Sequence, residues 1–207
     1  MYTYLALGDS YTIGERVPMA ENFPHQLVQR LNQEQVEVAA PVIIAKTGWT
    51  TDELAAAIRE HNLHETFSFV TLLIGVNNQY RGRDIGNYKQ EFASLLDQAI
   101  AFAGGRTHRV FVVSIPDWGV TPFAIAEGRD PAQVASEIDA YNNACRKIAH
   151  RMGCHFTDIT DSTRANGSNA LFLAEDGLHP SAKEYAVWAA RLTPEVMKAL
   201  GKEQPGV

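Results

Sequence analysis

The chain has 207 residues, of which 45% are hydrophobic and 20% are charged, as in a typical globular protein. Its net charge of −6 disfavours binding to nucleic acid or to an anionic membrane surface, because both favour a basic face. No apolar run approaches the roughly 20 residues of a membrane-spanning helix, so stable membrane insertion is not expected. The length fits one domain, and we predict a single domain over residues 1–207.

The N-terminal sequence leads directly into a strand pattern, without the basic and apolar regions of a signal peptide. The two cysteines, Cys145 and Cys154, make no disulfide framework and indicate a reducing compartment. A cytoplasmic location is therefore expected. The glycosylation sequon at Asn166 is then interpreted as part of an ordinary loop.

Strand patterns and helix patterns alternate along the chain. The predicted strands cover residues 2–7, 36–45, 67–74, 109–114 and 155–157. Three predicted helices cover residues 21–33, 52–61 and 87–103. A fourth begins at Asp130 and Pro131 and ends at Gly153. The last predicted helix follows Pro180, and Pro194 restarts or kinks it. Apolar strands separated by helices predict an α/β fold with a parallel sheet covered on both faces.

The first predicted strand runs into Gly8-Asp9-Ser10, so a serine stands directly after a buried strand. Gly and Asp are ordinary turn residues, and a plain turn is the alternative to a nucleophile. Ligands of open parallel sheets bind beyond the carboxyl ends of the strands, which is where Ser10 falls. Ser10 is therefore a candidate nucleophile.

A serine nucleophile needs a base, and the chain has seven histidines. His179 is the best candidate, because Asp176 three residues earlier can accept its Nδ1–H and fix the tautomer. The alternative is a surface loop with Asp as a turn former. Ser181 and Glu184 are interpreted as a capping box, which predicts that the last helix begins just after His179.

Acyl transfer also needs donors for a developing oxyanion, and two loops offer them. Thr50 and Glu53 are interpreted as a capping box, which places Gly48 just before a helix N-terminus, where a free backbone N–H favours an anion. Asn77 follows the third predicted strand and offers a side-chain amide that does not titrate. Taken singly, each could equally be a turn or a loop cap.

Together these loops resemble the GDSL-type hydrolases, or SGNH family, over most of the chain. "GDSYTIGE" is similar to the first family block and "DGLH" to the last, while Gly48 and Asn77 match the two middle blocks. The resemblance implies a catalytic triad of Ser10, Asp176 and His179, and an oxyanion hole made by the N–H groups of Ser10 and Gly48 and the Asn77 side chain. It also implies a flavodoxin-like three-layer α/β/α sandwich with a five-stranded parallel sheet. The implied activity is serine ester hydrolysis, without metal or cofactor.

The third family block usually has the form G-x-N-D, and Asn78 stands here in place of the acid. Asparagine keeps the size and the hydrogen bonding of aspartate but loses the charge. We therefore expect this departure to affect the local loop structure more than catalysis.

The substrate is less well indicated. Trp118 and Phe123 lie in an apolar segment after the fourth strand, where they could line an acyl pocket or plug the segment onto the core. Trp49 and Tyr80 could hold an alcohol or sugar portion, or could be surface residues. Without a long insertion to form a lid, we expect a small-molecule ester with a short to medium acyl chain. Acyl transfer, thioester or acetylated-carbohydrate cleavage, a non-catalytic binding module and the oligomeric state stay open.

Overall fold

The computed structural model describes residues 1–201, and its centre is a five-stranded, fully parallel sheet. The strands, in the spatial order β2-β1-β3-β4-β5, are β1 (Tyr4–Gly8), β2 (Val42–Ala45), β3 (Phe69–Leu73), β4 (Val110–Val113) and β5 (His155–Thr157). Every residue of β1, β3 and β4 is buried, whereas the edge strand β2 exposes Val42. The predicted buried parallel sheet is confirmed.

Nine α-helices fall within residues 1–201: α1 (Ser10–Ile13), α2 (Phe23–Gln33), α3 (Thr51–His61), α4 (Val76–Tyr80), α5 (Ile85–Phe102), α6 (Pro122–Ala126), α7 (Pro131–Arg151), α8 (Thr160–Asn166) and α9 (Ala182–Ala199). The connection from β1 to β2 moves in one direction along the sheet, and the later connections move in the other. Because such crossovers are right-handed, α2 covers one face, and α3, α5 and α7 cover the other. α9 packs against α2, which completes the predicted three layers.

Four of the five strands are shorter than their sequence patterns predict, whereas β5 has the predicted bounds. The pattern over residues 36–45 predicts one strand, but Val38 forms only an isolated bridge with Tyr2 and β2 begins at Val42. Pro41 directly precedes β2, and proline has no N–H to donate to a ladder. The apolar pattern is therefore continuous over residues 36–45, whereas the hydrogen-bond ladder of the sheet is interrupted before Val42.

The signals at the helix ends hold in most cases. The Asp130 side chain accepts a hydrogen bond from the Ala132 N–H at the start of α7, and Gly153 follows the end of α7 with a φ of +74°. The capping box of Thr50 and Glu53 is present at α3. α9 continues through Pro194 without a restart.

The predicted capping box of Ser181 and Glu184 is wrong. The Ser181 side chain caps α9 by accepting the Lys183 N–H, but Glu184 is buried and accepts hydrogen bonds from Ser162 Oγ and Trp188 Nε1.

The interpretation of Asn166 as a loop residue is also wrong. Asn166 is the last residue of α8, and its amide donates to Glu184 at 3.0 Å.

Four short helices occupy segments without a helix pattern. α1, α4 and α8 begin within three residues of the ends of β1, β3 and β5, and α6 lies in the apolar segment after β4. They place helix starts at the carboxyl edge of the sheet, where a site in this fold is expected. Within the described residues, no helix has both the length and the apolar character required to cross a membrane.

Candidate active site

A serine, a histidine and an aspartate form one line of hydrogen bonds at the carboxyl edge of the sheet. Ser10 is the first residue of α1, and its Oγ lies 3.1 Å from His179 Nε2. His179 Nδ1 lies 2.7 Å from Asp176 Oδ2. If the Nδ1–H is donated to Asp176, Nε2 is left as an acceptor for the Ser10 hydroxyl. This is the geometry that a nucleophile and its general base require.

The Asp176 carboxylate holds the imidazole and the loop before α9 together. Its Oδ1 accepts the backbone N–H groups of Leu178 and His179, each at 3.0 Å. Partial burial alone would raise the pKa of Asp176, but the hydrogen bonds from His179 and Leu178 outweigh it and hold that pKa below its usual value. The carboxylate is therefore charged at neutral pH.

Ser10 is presented by a sharp turn between β1 and α1. A Cβ atom at Gly8 would lie 2.1 Å from Thr12 Oγ1, so only glycine lets α1 fold back this closely over the strand end. The Asp9 side chain caps α1 by accepting the Tyr11 N–H at 3.0 Å. The backbone N–H of Ser10, in the first turn of α1, has no hydrogen-bond acceptor within residues 1–201.

The two other predicted oxyanion donors lie around the same space. Gly48 has a φ of +84°, a conformation that favours glycine, and its N–H has no acceptor in the described part of the chain. The Asn77 amide donates to the Trp49 carbonyl oxygen at 2.9 Å, which fixes its orientation and leaves its second N–H available. Ser10, Gly48, Asn77 and His179 all line one cavity.

The sequence profile of the GDSL-like Lipase/Acylhydrolase family matches residues 6–187. The chain belongs to this family.

No curated protein sequence gives a significant match. Solved structures with similar folds include three that match over nearly the whole of both chains. TesA has 19% identity and a TM-score of 0.74, and the match covers 96% of this chain and 99% of TesA. A lipase/acylhydrolase from Enterococcus faecalis has 18% identity and a TM-score of 0.73, with 100% of both chains covered. A variant of Axe2, a Geobacillus acetyl-xylooligosaccharide esterase, has 18% identity and a TM-score of 0.71. The match covers 100% of this chain and 97% of the Axe2 variant.

In this GDSL-like hydrolase, Asn78 ties α4 to the first turn of α3. Its Oδ1 accepts the Thr51 N–H at 3.1 Å, and its Nδ2 donates to Thr51 Oγ1 at 2.7 Å. The Thr51 hydroxyl in turn donates to Glu91 on α5. Asn78 is fully buried. Its side-chain amide supplies an N–H donor, which the carboxylate of the usual acid would lack. The contact holds Asn77 near the loop that carries Gly48.

The cavity next to Ser10 has a volume of about 230 Å³ and a mainly apolar lining. Three of the four predicted substrate-binding residues line it, namely Tyr80, Trp118 and Phe123. The Trp118 ring packs edge-on to Tyr80 at 5.3 Å and to Phe123 at 6.3 Å between centroids. Trp49 does not line the cavity, and it contributes the carbonyl that holds Asn77. Sequence reasoning missed other lining residues, including Thr47, Val76 and Leu178.

The apolar segment after β4 both plugs the core and lines the cavity. Trp118 is buried, and its Nε1 donates to Gln79 Oε1 at 2.8 Å. Gln79 Nε2 donates in turn to Glu137 Oε2 at 2.6 Å on α7. Phe123 is half-buried against the core, whereas Ile125 is 68% exposed. The Trp118 ring is therefore a fixed part of the cavity wall.

Asp9 is a buried carboxyl group directly before the serine. Its Oδ1 accepts the Tyr11 N–H, but its Oδ2 has no hydrogen-bond partner within residues 1–201. Burial raises the pKa of Asp9 to about 7, although the Tyr11 N–H acts in the opposite direction. The carboxyl is therefore divided between its two protonation states near neutral pH. Sequence reasoning treated Asp9 as a turn residue and missed this property.

Proposed function

We propose that the chain is a serine ester hydrolase that cleaves short- to medium-chain acyl esters of small molecules through an acyl-enzyme at Ser10. The hydrogen-bonded line from Ser10 through His179 to Asp176, at the wall of an apolar cavity, carries this proposal. Membership of a family of lipases and acylhydrolases supports it.

The proposed mechanism uses only side chains and backbone groups of this chain. Ser10 Oγ attacks the ester carbonyl carbon while His179 Nε2 takes the hydroxyl proton, and Asp176 stabilises the resulting imidazolium. The N–H groups of Ser10 and Gly48 and the Asn77 amide stabilise the oxyanion of the tetrahedral intermediate. His179 then gives the proton to the departing alcohol. A water molecule, activated by the same imidazole, releases the acid and restores the Ser10 hydroxyl.

The cavity favours acyl chains of limited length. An apolar space of about 230 Å³ accommodates a short to medium acyl chain, and not a long one, against the rings of Trp118 and Phe123. Each methylene that enters contributes up to about 0.8 kcal/mol, and those beyond the cavity contribute almost nothing. We therefore expect kcat/KM to rise over the first few carbons and then to level off or fall. The acetyl esterase named among the similar structures fits the short end of this range.

The experiment is covalent labelling combined with turnover. A fluorophosphonate probe should label the purified wild type at Ser10, and Ser10→Ala should abolish both labelling and hydrolysis of 4-nitrophenyl butyrate. Ser94→Ala is the matched control, because Ser94 is exposed on α5. Full activity in Ser10→Ala, or labelling of another serine, would contradict the proposal. Product analysis with added alcohols separates hydrolysis from acyl transfer.

A further inference from the structure

Arg129 lies against the aromatic wall of the cavity. It directly precedes Asp130, the N-cap of α7. Its guanidinium carbon lies 5.1 Å from the centroid of the Trp118 ring and 5.6 Å from that of the Tyr80 ring. Both rings line the cavity that contains Ser10. Arg129 does not itself line the cavity, but its cation lies against two of the rings that do.

The Arg129 guanidinium has no hydrogen bond and no ion pair within residues 1–201, although it is only half-exposed. Two other arginines near the site differ in this respect. Arg81 donates to the Gly48 carbonyl and pairs with Glu53, and Arg16 lies between acidic groups that include Asp176. The charges of those two arginines are already compensated by the protein.

A guanidinium held against aromatic rings can still offer its edge to a ligand. Its N–H groups lie in one plane and match the two oxygens of a carboxylate or a phosphate in a bidentate contact. The rings of Tyr80 and Trp118 lie against this group, and Trp118 is in turn held by the hydrogen bond that its Nε1 donates to Gln79. A preorganised group of this kind loses little conformational freedom when it binds an anion.

We propose that Arg129 binds an anionic group, a carboxylate or a phosphate, at the end of the substrate that lies along Tyr80 and Trp118. The preferred esters then combine a short apolar portion inside the cavity with an anion at its rim. This inference rests on the proposed ester hydrolysis and specifies its substrate class.

The test uses two pairs of esters, and each pair compares an ester that carries an anionic group with a neutral ester of the same acyl length. The first pair carries the charge on the acyl side and compares the 4-nitrophenyl monoester of glutaric acid with 4-nitrophenyl pentanoate. The second pair carries it on the alcohol side and compares butyryl glycerol 3-phosphate with glycerol monobutyrate. The readout is the ratio of kcat/KM for the anionic ester to that for the neutral ester, so each pair corrects for general effects on turnover.

We expect the wild type to give a higher ratio than Arg129→Met in at least one pair, by about tenfold, as for one hydrogen bond to a charged group. Arg129→Lys should retain part of the ratio, because it keeps the charge but loses the planar fork. Added salt should lower the wild-type ratio and leave that of Arg129→Met nearly constant. Arg59→Met is the matched control, because Arg59 is exposed in the last turn of α3 and the net charge changes equally.

The outcomes separate this inference from the proposed function. If Arg129 only packs against Trp118, Arg129→Met lowers kcat/KM for both esters of a pair by the same factor. The ratio then does not change, and the inference is overturned. The inference is likewise overturned if, for both pairs, the ratio in Arg129→Met equals the ratio in the wild type, whether or not kcat/KM has changed. If the probe also fails to label Ser10 and no ester is cleaved, the proposed function itself fails.

Discussion

Replacement of Asn78 by the acid usual in the family should destabilise this chain, because its surroundings are built for an amide. In the wild type, the Asn78 amide donates to Thr51 Oγ1, which frees the Thr51 hydroxyl hydrogen for Glu91. In Asn78→Asp, two carboxylates face one hydroxyl hydrogen. One hydrogen bond is lost and a buried charge is left incompletely paired.

The magnitude follows from these contacts. A buried polar group left without its partner costs about 1–3 kcal/mol. The new carboxylate still accepts the Thr51 N–H at the start of α3, where the helix dipole returns about 0.3–1 kcal/mol. We therefore expect Asn78→Asp to lower the free energy of unfolding by about 1–2 kcal/mol. Ester hydrolysis should change little, because Asn77 stays in place.

The assay is urea unfolding at pH 5 and pH 8, with Asn78→Asp/Glu91→Gln as the decisive second variant. In the double variant, the Thr51 hydroxyl donates to the new carboxylate and the new amide donates to Thr51 Oγ1, so most of the lost stability should return. In the single variant, one of the two carboxyls keeps its proton to a higher pH than in the unfolded chain, so the deficit should be larger at pH 8 than at pH 5. A single variant as stable as the wild type at pH 8, or a double variant no better than the single one, would refute the reasoning.

Three further predictions concern the site. Asn77→Ala removes one proposed oxyanion donor and should lower kcat by about 10²–10³ with little change in KM, and a cooperative urea-unfolding transition serves as the control for folding. Because the pKa of Asp9 is about 7 in the folded protein and near 4 in the unfolded chain, the contribution of Asp9 to the wild-type free energy of unfolding should fall by about 3 kcal/mol as the pH rises from 4 to 7. Asp9→Asn should lack this fall, and parallel slopes of the free energy of unfolding against pH would contradict the interpretation. Trp118→Ala should flatten the increase of kcat/KM with acyl length more than it lowers turnover of acetyl esters, and an equal loss at every length would assign Trp118 a purely structural role.

The positions of Ser10, Gly48 and Asn77 could be predicted because a parallel sheet brings the carboxyl ends of its strands to one edge. Each of the three stands shortly after a strand that its apolar residues identify. The contact between His179 and Asp176 is local, since the two are three residues apart. The sheet and the proposed triad therefore depend on rules that act within a few residues or on strand order alone.

Several local patterns gave wrong or incomplete predictions because distant contacts decide the outcome. Glu184 fits a capping box in sequence, but it accepts hydrogen bonds from Trp188, one turn further along α9, and from Ser162, which only the folded chain brings near it. Trp49 is next to Gly48 in sequence, but it does not share the cavity. The helices α1 and α4 are too short to form without tertiary contacts, so no periodicity identifies them.

The cavity wall shows why specificity was harder to predict than the proposed chemistry. Trp118 is held by Gln79 on α4, Gln79 by Glu137 on α7, and Arg129 lies over Trp118 and Tyr80. The two hydrogen bonds join residues 39 and 58 positions apart in the sequence, so no short motif contains either of them. The proposed nucleophile and its base can therefore keep their geometry while the wall changes through substitutions on α4 and α7. Family membership accordingly constrains the reaction class much more than the substrate, which has to be inferred from the wall itself.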